Sequence, residues 1–465
     1  MPGQLCSGCG AAKRPWPSAP SAIVAARASV MVSRRRSLAR ARAILGVVHV
    51  PGHSTASADR VATRVTTTLE LMRGPFARVM LTNFFFFGSL NGFVLLPLYI
   101  HALGGNEGQI GIVQGMYSAA GILCQPLVGA LVDRIGRRFF MLLGVTVVTV
   151  TSAAFLVFSS IPMLAVLRGL HGVAFSAFFV ANYIHVVDLV PQERRGWALG
   201  IFGLSGLLST SLAPLAGEFL IRRFGFPWLF VGATLLGAGA AALVARLRDT
   251  RAPELTGVPG LDAVRQGLGE LLHLHMALMF FFGLGTGTVF TFLPTFAERL
   301  GVTGLGLFYT AYAGAAMLVR VAGGTLIDVR GRRAVIIPSM FVQAAATLIL
   351  ALVAIFIRPT SGLPVLPFLF LAGFMAGGAH GFLYPGLSAL LMDVTPESRR
   401  GSAVGIFSSV FLVGNALGAM VFGYVAHGLG YGVMWSALTL LLLGGFLASL
   451  RLRIGLPVRA PRPAV

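Results

Sequence analysis

Long apolar runs, separated by short polar or charged breaks, make up most of this chain. "FFFFGSLNGFVLLPLYI", "FFMLLGVTVVTVTSAAFLVFSSI" and "MWSALTLLLLGGFLASL" are examples. Each approaches or exceeds the ~20 residues that a helix needs to cross ~30 Å of hydrocarbon. Turn and charge signals divide the pattern into segments at 76–100, 108–131, 139–158, 161–187, 197–221 and 227–246. A polar stretch, "RLRDTRAPELTGVPGLDAVRQG", then interrupts it, and six more segments follow at 274–298, 305–327, 334–357, 365–391, 402–426 and 432–450. The pattern predicts an all-α polytopic membrane protein of twelve transmembrane helices in two six-helix bundles. The bundles fall at 74–247 and 273–453, joined by a middle loop at 248–272 and flanked by tails at 1–73 and 454–465.

Composition agrees. The chain is 56% hydrophobic and 11% charged, with a mean hydropathy of +0.84, where a soluble chain carries about a quarter charged residues. The charge that remains is placed unevenly. One alternating set of loops holds Arg134, Arg137, Arg138, then Arg194, Arg195, then Arg246, Arg248, Arg251, Arg265, then Arg330, Arg332, Arg333, then Arg399 and Arg400. The other set holds only Arg222, Arg223, Arg299 and Arg358. Positively charged loops stay on the cytoplasmic side. Both termini and the middle loop are therefore expected in the cytoplasm, with the protein in the plasma (inner) membrane. The net charge of +21 is topological in this reading, and no nucleic-acid partner is expected.

The first 73 residues are rich in Arg, Ala and Ser, with Asp59 and Glu70 as their only acids. They read either as a disordered or weakly amphipathic tail on an anionic leaflet, or as a stretch preceding a translation start at Met31 or Met72. Cys6 and Cys9 form a lone CxxC without the second ligand pair of a zinc site, and three cysteines make no disulfide framework. No metal and no cofactor are expected.

Two phrases are written twice. Gly129, Asp133, Gly136, Arg137 and Arg138 reappear at the same spacing as Gly324, Asp328, Gly331, Arg332 and Arg333. "DLVPQERRGWALGIFG" from Asp188 returns as "DVTPESRRGSAVGIFS" from Asp393. Each copy falls between corresponding helices of the two halves, which implies bundles related by a pseudo-two-fold axis.

With these phrases the chain resembles the major facilitator superfamily over residues 74–453. The family's GxxxDRxGRR signature is intact from Gly129 to Arg138, and the second copy has Val329 in place of the first Arg. An RxxxG element on the fourth helix matches as Arg168 and Gly172. A fifth-helix signature typical of antiporters is present in part, through Gly200, Pro214 and Gly217, with Ser209, Ala213 and Glu218 at its other positions. The resemblance implies rocking of two bundles around a central path. It also implies that Asp133 meets the eleventh helix and pairs with Arg134 or Arg137 near Asp188. By symmetry Asp328 meets the fifth helix near Trp197, with Arg330 or Arg332 near Asp393. Gly129 and Gly324, one turn earlier, are expected to let helices approach closely. These groups, with Arg138 and Arg333, form a candidate gate latch that joins the halves when the cytoplasmic side is shut. The alternative is topogenic charge, although the positive-inside rule largely ignores acids.

The same fold places the first, fourth, seventh and tenth helices around the path. Helical spacing then selects Arg168, His171, Phe175, Phe178, Asn182 and His185 on the fourth, Asn83, Phe87 and Asn91 on the first, and His380, Tyr384 and Ser388 on the tenth. Ionisable residues inside a membrane are functional candidates by default. Arg168 stays charged in a protein and suits an anion or a coupling role, with a structural role as the alternative. His171 is a candidate proton carrier. Substrate or coupling residues are thus expected among Asn91, Arg168, His171, Asn182, His380 and Tyr384. Arg320 is expected to pair with Asp328, and Glu218 with Arg222 one turn on.

No P-loop, HExxH or catalytic triad occurs, so the chain is not expected to be an enzyme. The expected function is secondary active transport of a small organic solute by alternating access, as proton-coupled efflux, by a monomer in a lipid bilayer. A proton-coupled importer of a sugar or organic anion is the alternative, followed by a non-transporting sensor with the same fold.

Overall fold

A computed structural model describes residues 74–190, 195–249, 273–323, 326–357, 364–395 and 400–452. Residues 1–73, 454–465, Gly324 and nearly all of the middle loop lie outside this set, as do the side chains of Asp133 and Asp328.

The helices follow the apolar runs to within a few residues. The first bundle comprises α1 (Pro75–Ala102), α2 (Glu107–Ile135), α3 (Arg137–Ala154), α4 (Ile161–Asp188), α5 (Arg195–Phe224) and α6 (Phe226–Ala245). The second comprises α7 (Leu274–Arg299), α8 (Gly306–Gly323), α9 (Arg333–Phe356), α10 (Leu366–Val394), and α11 and α12. The last two run together as Arg400–Ser449, broken where Gly430 takes φ 82°. Among the described residues ten helices are long and apolar enough to cross a bilayer. That number counts α11 and α12 once and leaves out α8, whose Tyr309, Tyr312 and Arg320 lower its hydropathy. It is consistent with twelve segments.

Local chemistry sets the ends and breaks. Asn106 and Gln109 form a reciprocal capping box at the start of α2 (2.9 and 3.0 Å). In α1 a 3-10 turn at Gly92–Leu95 interrupts the α-helix. Pro97 follows, and because it has no N–H it cannot donate to the Phe93 carbonyl four residues back. That carbonyl accepts instead from the Leu96 N–H within the turn and from the side chain of Gln114 on α2, at 3.0 Å.

We call the end that carries the repeated arginine phrases the inner end, and the opposite end the outer. The bundles meet chiefly through α2 with α11 and α5 with α8, and at the outer end α1 meets α7. A continuous buried cluster there takes Phe93, Leu96 and Ile100 from the first bundle, and Phe292, Phe296 and Trp435 from the second. At the inner end the buried cluster of Met279, Ile336, Leu387 and Phe407 stays within the second bundle.

Glycines record the same asymmetry. The α-carbon of Gly423 on α11 lies 3.2 Å from where a Cβ on Gly111 of α2 would stand. Gly129 and Gly405 lie on the same two faces, eighteen residues or five full turns away. At both of them a Cβ would meet nothing within 4 Å, and the same is true of Gly200 at the inner end of α5. The helices therefore touch at the outer end and splay at the inner one. The expected close approach at Gly129 is absent in this conformation because its partner helix has swung away.

Small residues also set packing within the second bundle. Gly373, Gly377 and Gly381 of α10 lie against Phe308, Tyr312 and Val319 of α8, and a methyl group on Gly377 would collide with the Tyr312 carbonyl. Gly378, next in sequence, faces open space. Gly377→Ala is expected to lower stability in detergent by about 1–3 kcal/mol, the usual cost of overpacking. Gly378→Ala should stay within about 0.5 kcal/mol of the parent. Thermal unfolding of the two variants side by side checks this.

Candidate functional site

Between the bundles lies a cavity of about 140 Å³. Its wall combines Asn91 and Val94 of α1, Gln114 and Tyr117 of α2, Arg168 of α4, Thr286, Phe290 and Thr291 of α7, and Asn415 of α11. Its only charged wall residue among those described is Arg168, 7% exposed.

The guanidinium is held by neutral groups. Arg168 Nη2 donates to Gln114 Oε1 at 2.6 Å, and Nη1 lies 3.4 Å from His171 Nδ1. Its carbon sits 4.8 Å from the centre of the Tyr117 ring and 5.9 Å from that of Phe93, within cation–π range. Nε is buried and has no hydrogen-bond partner. No carboxylate among the described residues pairs with it. Gln114 is thus bound at both ends, with its amide NH₂ on the carbonyl that Pro97 frees and its oxygen on the arginine. Burying a cation without a counter-charge is costly, and an incoming anion would offset that cost.

The remaining sequence candidates separate. Asn91 is on the cavity wall, and its Nδ2 donates at 3.0 Å to both Ser209 and Thr210 of α5. His171 is not on the wall. It is fully buried behind Arg168, with Phe93 edge-on at 4.5 Å, Phe155 at 5.5 Å and Ser152 Oγ 3.5 Å from Nε2. Three residues along a helix turn a side chain by about 300°, enough to carry it off a narrow wall. Asn182 joins a packing network, donating to Asn83 (3.1 Å), which donates to Ser205 (2.9 Å). His380 sits away from the cavity, its Nδ1 2.7 Å from the Tyr312 hydroxyl and its ring against Phe282. The Tyr384 ring stands edge-on to that of Phe407, with centres 6.4 Å apart. Arg320 reaches across to α5, with Nη1 2.8 Å from the Cβ position of Gly203. Its expected partner Asp328 has no described side chain.

At the inner end Arg137 Nε donates to Asp188 Oδ2 (3.0 Å), and Arg332 Nε to Asp393 Oδ2 (3.1 Å). Both pairs tie neighbouring helices of one bundle and do not cross between bundles. Arg138 donates to the Ala245 carbonyl (2.7 Å) and Arg333 to that of Leu450 (3.5 Å), while Arg134 is exposed. The acids expected to bridge the halves here, Asp133 and Asp328, have no described side chains. Bridging groups lie elsewhere. Ser118 Oγ donates to Asn415 Oδ1 at 3.0 Å in the centre. At the outer end His101 meets Glu298 (3.1 Å), His427 meets Glu107 (3.6 Å), and Glu218 reaches the first turn of α8.

A family profile described as Major Facilitator Superfamily matches this chain twice, over residues 79–361 and 276–464. The chain belongs to that superfamily. Family and relatives are transporters, and the protein is a multi-pass membrane transporter. It is 23% identical to the staphylopine export protein of Staphylococcus aureus over 84% of this chain and 98% of that one. It is 24% identical to the multi-drug resistance efflux pump PmrA of Streptococcus pneumoniae, over 74% of this chain and 87% of the pump. Among solved structures, the nucleoside transporter NupG matches with a TM-score of 0.64 at 16% identity, over 82% of this chain and all of that one. The human organic anion transporter MFSD10 matches with a TM-score of 0.59 at 19% identity, over 81% of this chain and all of that one. At these identities the structural likeness carries the fold alone.

Sequence reasoning overlooked Gln114, Tyr117 and Asn415. Their signal was a polar residue inside an apolar span, and Gln114 and Ser118 share one face of α2. Gln114→Leu is expected to destabilise the protein by about 1–3 kcal/mol, because it leaves the buried Arg168 guanidinium short of a partner and removes one of the two donors to the Phe93 carbonyl. Adding Arg168→Met should recover part of that loss, since a pair removed together costs less than a pair broken. Unfolding of the two single variants and the double variant tests the coupling.

Proposed function

We propose that this transporter exports a small organic anion from the cytoplasm by alternating access, driven by inward proton flow. The observation that carries the reading is the Arg168 guanidinium, buried on the wall of the inter-bundle cavity and held by an amide, an imidazole and two aromatic rings with no carboxylate beside it. An acidic group on the solute supplies the missing charge. Asn91, Gln114, Thr286, Thr291 and Asn415 offer the neutral hydrogen bonds that orient the remainder. The names of the two export relatives support the outward direction. Arginine placement supports a cytoplasmic inner end. In that orientation the conformation described is inward-facing, ready to load from the cytoplasm.

Closure of the inner end brings Gly129 of α2 toward Gly405 of α11, and the repeated phrase then acts. Asp133 caps the approaching α11 and Asp328 caps α5, while Arg137–Asp188 and Arg332–Asp393 stiffen each bundle around its acid. Gly324, Arg134, Arg138 and Arg333 belong to the same inner gate. Joint replacement Asp133→Asn with Asp328→Ala should raise the labelling of inner-end cysteines by cytoplasmic reagents. An unchanged balance of inward and outward accessibility would sink this gate.

The functional test uses inside-out vesicles with an imposed pH gradient and a panel of labelled organic anions, cations and neutral solutes. Accumulation of anions that a protonophore abolishes is the expected result. Arg168→Ala should lose about 30-fold or more in apparent affinity, the scale of a broken buried charge pair. Arg168→Lys should recover only part of it, because an ammonium lacks the planar fork. Anion uptake that is indifferent to Arg168, or to the protonophore, would overturn the site or the coupling respectively.

A further inference from the structure

We infer that Glu218 is an acid-sensitive latch of the outer gate: its carboxylate, carried by α5 of the first bundle, caps the first turn of α8 in the second. Glu218 is 7% exposed. Oε1 accepts from the Gly304 N–H at 2.9 Å, and Oε2 from the Gly306 N–H at 2.6 Å. The Gly306 N–H is the first of α8, where a helix has no internal acceptors and where its dipole favours a negative charge, and the Gly304 N–H stands in the turn that leads into it. The carboxylate also accepts from Arg222 at 2.9 Å. That bond stays within one helix and joins nothing across the interface.

The surroundings are built for this contact. Gly304 takes φ +94°, a left-handed conformation that turns the chain into α8, and a Cβ on Gly306 would stand 2.7 Å from the Leu215 α-carbon. The two backbones therefore touch one turn from the carboxylate. Where the family's fifth-helix signature ends in two glycines, this chain has Gly217 followed by Glu218. An acid has entered a position that serves helix approach, and it spends both oxygens on the opposite bundle. The groups that face it are Arg222 on α5 and the Tyr309 phenol on α8.

The inference rests on the alternating-access reading above. Opening the outer end must part α5 from α8 at this point, which takes two backbone donors away from the carboxylate and admits water. A neutral carboxyl accepts those two N–H bonds more weakly than a carboxylate does. By linkage, acid on the outer side then shifts the protein toward its outward-open form. The imidazole–carboxylate pairs His101–Glu298 and His427–Glu107 also stand at this end. They lie on exposed parts of the α1–α7 and α2–α11 contacts, so the test must separate them from Glu218.

The test uses the full chain with Cys6, Cys9 and Cys124 replaced by serine, in intact cells, with a membrane-impermeant maleimide outside. One reporter is Val94→Cys, on the cavity wall. The reference is Leu103→Cys, in the exposed turn between α1 and α2. The ratio of their labelling rates removes the pH dependence of thiolate chemistry. With Glu218 intact, the ratio should rise about fivefold or more, a typical coupling between sites, as the outer pH falls from about 8 to about 4, across the ordinary range of a Glu carboxyl. Glu218→Gln should label fast at neutral pH and respond little to acid, and Glu218→Asp should restore the response. A flat ratio with Glu218 intact overturns the latch, even if the Gln variant does not fold. A Gln variant that keeps the full response also overturns it and transfers the role to the histidine pairs. Labelling needs no solute, so a protein that exports no anion yet responds to acid refutes the export reading and leaves the latch standing.

Discussion

An arginine buried in a membrane protein without an acid beside it constrains everything around it. Arg168 is 7% exposed, and its charge has to be balanced by dipoles, rings and a fixed amide. The balance begins elsewhere in the chain. Pro97 leaves the Phe93 carbonyl of α1 open to a second donor beside the Leu96 N–H, Gln114 of α2 fills that place, and that anchoring leaves the Gln114 oxygen aimed at the guanidinium. Three helices are held in register by one proline and one glutamine. Movement of α1 against α2 would therefore be felt at the charge, and a change at the charge would be felt in α1.

The two ends of the molecule solve the problem of joining the bundles differently. At the outer end glycines allow backbone contact, a cluster of large apolar residues runs across the interface, and a carboxylate closes on backbone donors. At the inner end the visible ion pairs hold each bundle together internally, and glycines face space. A bundle that keeps its shape while its partner is absent can move as a unit, which is what Arg137–Asp188 and Arg332–Asp393 provide.

Much of this was legible in the sequence because the signals are local. Apolar runs end where arginines and glycines stand, so the helices appear within a few residues of their expected places. The repeated Asp and Arg phrases announced two halves, and a lone charge in an apolar span announced Arg168. What was not legible is which way a side chain points once helices pack. Arg168 and His171 are three residues apart, yet one lines the cavity and the other is sealed behind Phe93 and Phe155. Glu218 and Arg222 advertised an i, i+4 pair, and that pair is present. The backbone N–H groups of Gly304 and Gly306 carry no residue signature, so the more consequential half of the Glu218 contact stayed hidden.

The spacing of the glycines on α2 has a mechanical meaning. Gly111 and Gly129 are eighteen residues apart, about 27 Å along a straight helix. Two stiff rods that touch at one end and gape at the other need no bending to exchange those roles, because tilting about a point between them is enough. The Ser118–Asn415 hydrogen bond sits between those glycines, near the fulcrum of such a seesaw, where displacement is smallest. A short polar bond placed there can serve as an axle, staying made while the ends trade places.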